Sequence, residues 1–196
     1  MRDRPMLQAA EADLSAPTVE ERYRKLDRNA LSPEQQRIFD IACPRNGQVP
    51  APFHIYLESP ELCQLVQALG AFCRYRTGLS PLLSETAILA TATHWRAEYE
   101  FEVRVGEAAL RAGVPESVVD ALRQGKPPVI EDADADLIYQ FSSVFYEQQD
   151  VPDDLFAEAV SRFGRKTVVE LVGVLGYYSM LAIALRVFRV PAFGSD

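Results

Sequence analysis

Three ionisable side chains set on or beside an apolar helical face mark where chemistry is to be sought in this chain. In residues 80–113, SPLLSETAILATATHWRAEYEFEVRVGEAALRAG, the side chains of Ile88, Leu89, Ala92, Trp95, Tyr99 and Val103 recur at spacings of one, three and four. That spacing puts them along one side of an α-helix. Glu85, Glu100 and Arg104 fall on or beside the same side. Charges there are costly unless paired, so they are either structural ion pairs or a site. Glu100 and Arg104 are four residues apart with the acid first, the favourable order for an intrahelical pair. In the functional reading, Arg104 holds a substrate carboxylate by a bidentate contact while Glu100 or Glu85 exchanges a proton with the substrate. Arginine keeps its proton in proteins and serves only as an anchor. Any other proton transfer falls to Tyr99, His54 or His94. His94 lies about 80° out of phase with Arg104 on a continuous helix.

A second source of pocket residues is the proline-rich crossing 47–59, GQVPAPFHIYLES, which carries Phe53, His54 and Tyr56. Irregular crossings of this kind often line pockets. His54, Tyr56, Tyr99 and Trp95 are therefore the candidate substrate contacts beside Arg104, and Glu85, Glu100 and His94 the candidate catalytic groups. Cys43, Cys63 and Cys73 lack a C-x-x-C or zinc spacing and read as small buried hydrophobes in a reducing compartment. Cys73 has a second reading as a reactive thiol beside Arg74 and Arg76. Asp132, Asp134 and Asp136 read as a helix cap, because a calcium loop would need a glycine and a glutamate that are absent. Nothing implies a metal, nucleotide, flavin or haem.

The spacing of Glu85 from the positions twelve, fifteen and nineteen residues on resembles the carboxymuconolactone decarboxylase and alkylhydroperoxidase D-like family. In the peroxidase branch these positions carry a C-x-x-C pair and a histidine; here they read Ala97, Glu100 and Arg104. Tyr99-Glu100-Phe101 is closer to the decarboxylase-like branch, with Arg104 where its histidine stands. The final run through Gly176-Tyr177-Tyr178 to Arg186-Val187-Phe188-Arg189-Val190-Pro191 is similar to the C-terminal helix of longer members. The resemblance spans about residues 30–192. It implies a compact antiparallel helical arrangement, cofactor-free acid–base chemistry on a small organic acid or lactone, and a homo-oligomer, a trimer, hexamer or dimer.

The elements that must position these residues follow from helix starts and stops. Ser32-Pro33-Glu34-Gln35 is a capping box with proline at the first position. Ser59-Pro60-Glu61 starts a helix with the face Leu62, Leu65, Val66, Leu69 and Phe72, and Ser80-Pro81 starts the central stretch, which is one helix or two. Further helices are expected from Glu116 to Leu122, Asp134 to Gln149, Pro152 to Phe163 and Arg165 to Phe188. The last is apolar nearly all round but interrupted by Glu170, two tyrosines and a serine, so it reads as a core or interface helix rather than a membrane span. Gly173 and Gly176 would let a neighbouring helix approach it closely. Strand-type alternation is nearly absent. The fold class is all-α, about seven or eight helices, in one domain from residue 18 to 196 behind a flexible leader, 1–17.

An apolar content of 48% favours a folded chain over disorder. A net charge of −8 without a basic run argues against nucleic-acid binding. The leader lacks a secretory core, which makes cytoplasm the default location. Three functions remain: a decarboxylase-like enzyme, a non-catalytic homo-oligomer that binds a small ligand, and, least favoured, a thiol peroxidase.

Overall fold

The computed structural model describes residues 22–42, 49–96 and 106–191. Among these the chain is all-α: a 3-10 turn at Arg28–Ala30, then α1 (Pro33–Ala42), α2 (Ala51–Tyr56), α3 (Pro60–Tyr75), α4 (Pro81–Trp95), α5 (Gly106–Arg111), α6 (Glu116–Arg123), α7 (Ala133–Gln148), α8 (Asp153–Phe163) and α9 (Arg165–Val187). That is two more than the sequence reading's lower figure. One of the additions is α2, which forms inside the expected irregular crossing. Pro50 caps it and Pro52 sits in its first turn, where proline costs no hydrogen bond.

Local chemistry sets the helix starts. The Ser32–Gln35 box closes in both directions: Gln35 N–H donates to Ser32 Oγ at 3.2 Å, and Ser32 N–H to Gln35 Oε1 at 3.0 Å. Ser80 Oγ accepts from Leu83 N–H at the start of α4. Asp132 Oδ1 accepts from the N–H groups of Asp134 and Ala135, so it caps α7, while Asp134 pairs with Arg162 of α8.

Helix α4 is the centre of the bundle. From Leu83 to Ala92 every residue except Glu85 is buried, and the helix packs chiefly between α7 and α9. It ends at Trp95, because Arg96 adopts a left-handed backbone, φ 47° and ψ 46°. The central stretch is therefore not one continuous helix. Tyr99 and Val103, the expected continuation of its apolar side, lie outside the described residues, as do Glu100, Arg104 and Cys43.

Two expectations about faces are corrected. Helix α3 turns Cys63, Val66 and Cys73 inward and leaves Leu62, Leu65 and Leu69 exposed. The sequence offers two adjacent stripes on this helix, and Gly70 decides between them. A Cβ at Gly70 would lie 2.2 Å from the Tyr177 hydroxyl and 2.6 Å from its ring carbon, so only glycine lets α9 lay Tyr177 against α3. Gly173 and Gly176, read as sites of close approach, have nothing within 4 Å of a built Cβ. They lie with Val169, Val172 and Ile183 on an outward side of α9. By length and composition α9 is also long and apolar enough to cross a membrane, and more than half of its most apolar window is packed inside the chain.

Candidate functional site

Helix α4 carries candidate residues at both ends, and the two ends differ. Glu85 stands nine residues before His94. At 100° and 1.5 Å per residue, that puts them on opposite sides of the helix and about 13 Å apart along its axis. The structure does not bring Glu85 and His94 together.

Glu85 is half-buried in the first part of α4, within electrostatic reach of Arg74 on α3. Arg74 Nη2 donates to the Tyr178 hydroxyl of α9 at 2.8 Å. Burial works against the Arg74 charge, but Tyr178, Glu85 and Tyr75 together outweigh it and hold the guanidinium above its ordinary value. A guanidinium of α3 and a phenol of α9 thus meet, with a carboxylate of α4 within electrostatic reach.

Arg74 also lines a cleft of about 390 Å³ between α3 and α9, closed at one side by the start of α2. Phe53, Tyr75, Tyr177 and Tyr178 give it aromatic walls, and Gln67 supplies an amide. Gln67, Gly70 and Arg74 sit at spacings of three and four, on one flank of α3. The size and the aromatic lining fit a small-molecule site. Reading the sequence missed Gln67 and Tyr177, and it named Arg74 only as a neighbour of Cys73. The spacing from Gln67 to Arg74 was visible, but their meeting with Tyr178, 104 residues away from Arg74, was not.

At its other end α4 closes on itself. His94 is exposed and stacks on Tyr146 of α7 with ring centres 4.4 Å apart, and burial of its ring pushes its pKa below the ordinary imidazole value. Trp95 Nε1 donates to Ser179 Oγ at 3.0 Å, the Ser179 and Tyr146 hydroxyls lie 3.0 Å apart, Tyr146 donates to Thr91 Oγ1 at 2.9 Å, and Thr91 donates to the Ala87 carbonyl at 2.8 Å. Arg186 donates to the Trp95 carbonyl, satisfying the end of the helix. These bonds tie α4 to α7 and α9.

The two side chains read from the crossing are placed in the packing of α2. Tyr56 is buried and donates to the Met180 carbonyl at 3.1 Å. His54 is 3% exposed, lies edge-on to Phe39, and accepts from Leu26 N–H through Nδ1 at 3.2 Å. Burial, and then Lys25, push its pKa down; the Val49 backbone counters part of this, although Nε2 makes no bond of full hydrogen-bond geometry. Neither residue lines the cleft, which takes Phe53 from the same helix. Cys63 and Cys73 keep their first reading as small buried hydrophobes, and the second reading of Cys73 as a reactive thiol is corrected. Cys73 is fully buried and burial raises its pKa, despite Arg74 and Arg76 beside it in the sequence. Cys63 is pushed up to about 11 by the same cause.

No family model matches the chain, and no curated protein matches it. Among solved structures, the chain is similar to the crystal structure of an uncharacterized peroxidase-related protein from Silicibacter sp. TM1040, with a TM-score of 0.69 and 17% sequence identity over 94% of this chain and 96% of that one. At that identity the likeness shows the fold, an all-α bundle shared over nearly the whole length of both chains.

Proposed function

We propose that the chain is a decarboxylase-like member of the carboxymuconolactone decarboxylase and alkylhydroperoxidase D-like family, performing cofactor-free acid–base chemistry on a small organic acid or lactone. One observation carries this reading: a half-buried carboxylate, Glu85, beside the Arg74–Tyr178 pair that opens onto an aromatic cleft. Arg74 takes the anchoring role first assigned to Arg104, holding a carboxylate that is not lost in the reaction. Glu85 is the proton-exchanging group, and Glu100 and Arg104 remain candidates to complete the site. In decarboxylation, a second carboxylate leaves as carbon dioxide, the electron pair of the breaking C–C bond passes to a conjugated carbonyl, and the acid delivers a proton to carbon.

A thiol peroxidase using Cys63 or Cys73 is opposed by the burial and raised pKa of both thiols, since the thiolate is the nucleophile. Association into a homo-oligomer is part of the proposal. It is supported by the outward Val169, Val172 and Ile183 beside two glycines with open space around them. Ile183→Glu is then expected to shift the sedimentation coefficient to that of a monomer without changing helix content.

The catalytic reading is tested by assaying a panel of carboxylated lactones with the wild type and with Glu85→Gln. Loss of kcat by at least a hundredfold with little change in binding supports it. Equal turnover in the two proteins removes Glu85 from the mechanism, and binding without turnover in the wild type identifies a non-catalytic ligand-binding protein.

A further inference from the structure

The cleft contains a polar group that the acid–base reading does not use. Gln67 is half-buried on the wall formed by α3, and its Nε2 is a buried donor with no hydrogen-bond partner among the described residues. Leaving an amide donor unmade in a folded interior is destabilising, and native proteins rarely do so without a compensating role. Gln67 and Arg74 are seven residues apart on the same flank, so their Cα atoms are about 10 Å apart along the axis. Between them lies Gly70, the position that lets the phenol end of Tyr177 rest against the helix at the cleft wall. Phe53 and Tyr75 add further ring faces to the cleft.

We infer that this cleft recognises a planar aromatic carboxylate that carries a hydrogen-bond acceptor at the far end of its ring, with Gln67 as the specificity-determining residue. The carboxylate sits on Arg74, whose planar head has five N–H donors and can hold Tyr178 and a carboxylate together. The ring stacks among the aromatic walls at an offset or edge-on contact. A para-substituted benzene ring carries its two groups at opposite ends, in keeping with the roughly 10 Å that separates the two Cα atoms along the axis. The Gln67 amide turns about its terminal torsion, which is soft for glutamine, to bring its buried Nε2 to that acceptor. A site built to hydrogen-bond a ligand group discriminates strongly against a ligand without it. The inference shares with the proposed function the use of Arg74 as the carboxylate anchor, and does not depend on proton transfer by Glu85.

The test uses two probes of similar size, 4-acetylbenzoate and 4-isopropylbenzoate, of which the first carries a carbonyl acceptor that the second lacks. Calorimetric titration of the full-length protein is expected to show at least a tenfold preference for the acetyl compound. In Gln67→Met the preference disappears while binding of the isopropyl compound is kept, and thermal stability rises because a buried unpartnered donor has been removed. Gln67→Glu, which presents an acceptor to an acceptor, also loses the preference. Arg74→Met weakens both probes alike. Equal binding of the two probes to the wild type, a preference that survives Gln67→Met, or no binding of either probe would overturn the inference. Failure of the catalytic reading is distinguishable: the probes then bind with the expected preference while Glu85→Gln leaves lactone turnover unchanged.

Discussion

The two ends of α4 have similar ingredients and opposite character. Around Trp95 the side chains of Thr91, Tyr146 and Ser179 and the backbone carbonyls of Ala87 and Trp95 all find partners within the protein. Near Glu85, Arg74 borders an open cleft that no described residue of α4 lines, and Gln67 on the same cleft wall has a donor without a partner among the described residues. A satisfied network rigidifies a junction between helices, whereas an incomplete one next to a cavity is completed by a ligand. The histidine and tryptophan that look most like chemistry in the sequence belong to the satisfied end. The arginine that meets a phenol beside a carboxylate belongs to the other.

Substitutions can break this contrast, and the largest effect is expected at Arg74. Arg74→Met should weaken binding of 4-acetylbenzoate by about a hundredfold by calorimetry, the size expected when a charge-assisted hydrogen-bonded anchor is removed. An affinity within threefold of wild type would move the anion site elsewhere. Next is Gly70→Ala. The added methyl meets Tyr177, which is 5% exposed and has little room to withdraw, so a loss of about 1–3 kcal/mol in urea denaturation is expected, with reduced probe binding. Tyr146→Phe probes the opposite end. It removes the hydroxyl shared by Thr91 and Ser179, for an expected cost of about 1–2 kcal/mol, and leaves the cleft's affinity unchanged. A change in probe affinity would show that the two ends are coupled.

The smallest effect is a pH dependence from His54. Its folded pKa is depressed, first by burial, so the neutral ring is favoured in the fold and Nδ1 accepts from Leu26. The unfolded chain therefore binds more protons just below the ordinary value of 6.5. Stability from this residue is fully present above that value and is lost as pH falls through the lowered one. His54→Gln should flatten the fall in Tm between neutral and mildly acidic pH. An unchanged slope would assign the dependence to other groups, including His94, which is shifted in the same direction.

Much of the fold could be read from the sequence because it is locally encoded. The Ser32–Gln35 box, the Ser80 cap and the Asp132 cap each act over two or three residues, and each forms as its sequence dictates. The buried face of α3 was not legible. Leucines at 62, 65 and 69 outweigh the cysteines in any hydropathy count, yet the steric demand of Tyr177 selects the side that contains Gly70. The central stretch could not be divided by periodicity, because the apolar spacing runs through Arg96, where the backbone turns left-handed. Glu85 was legible as an ionisable group at the edge of an apolar face. Its surroundings were not, because Arg74 and the Tyr178 hydroxyl that it binds come from separate helices and gain meaning only when α3 and α9 pack. His54 and Tyr56 were drawn toward a pocket by residue type, but the register of α2 turns them into the packing and leaves Phe53 at the cleft.

The most direct test of which end of α4 holds the ligand is a two-dimensional amide NMR titration with 4-acetylbenzoate, using the indole N–H of Trp95 as a built-in reporter, since it is the only tryptophan in the chain. Shifts confined to Gln67, Gly70, Arg74, Glu85 and Tyr178, with the indole resonance unmoved, are the predicted result. Movement of the indole and Tyr146 signals while the α3 amides stay fixed would contradict the account and place the site at the His94 end.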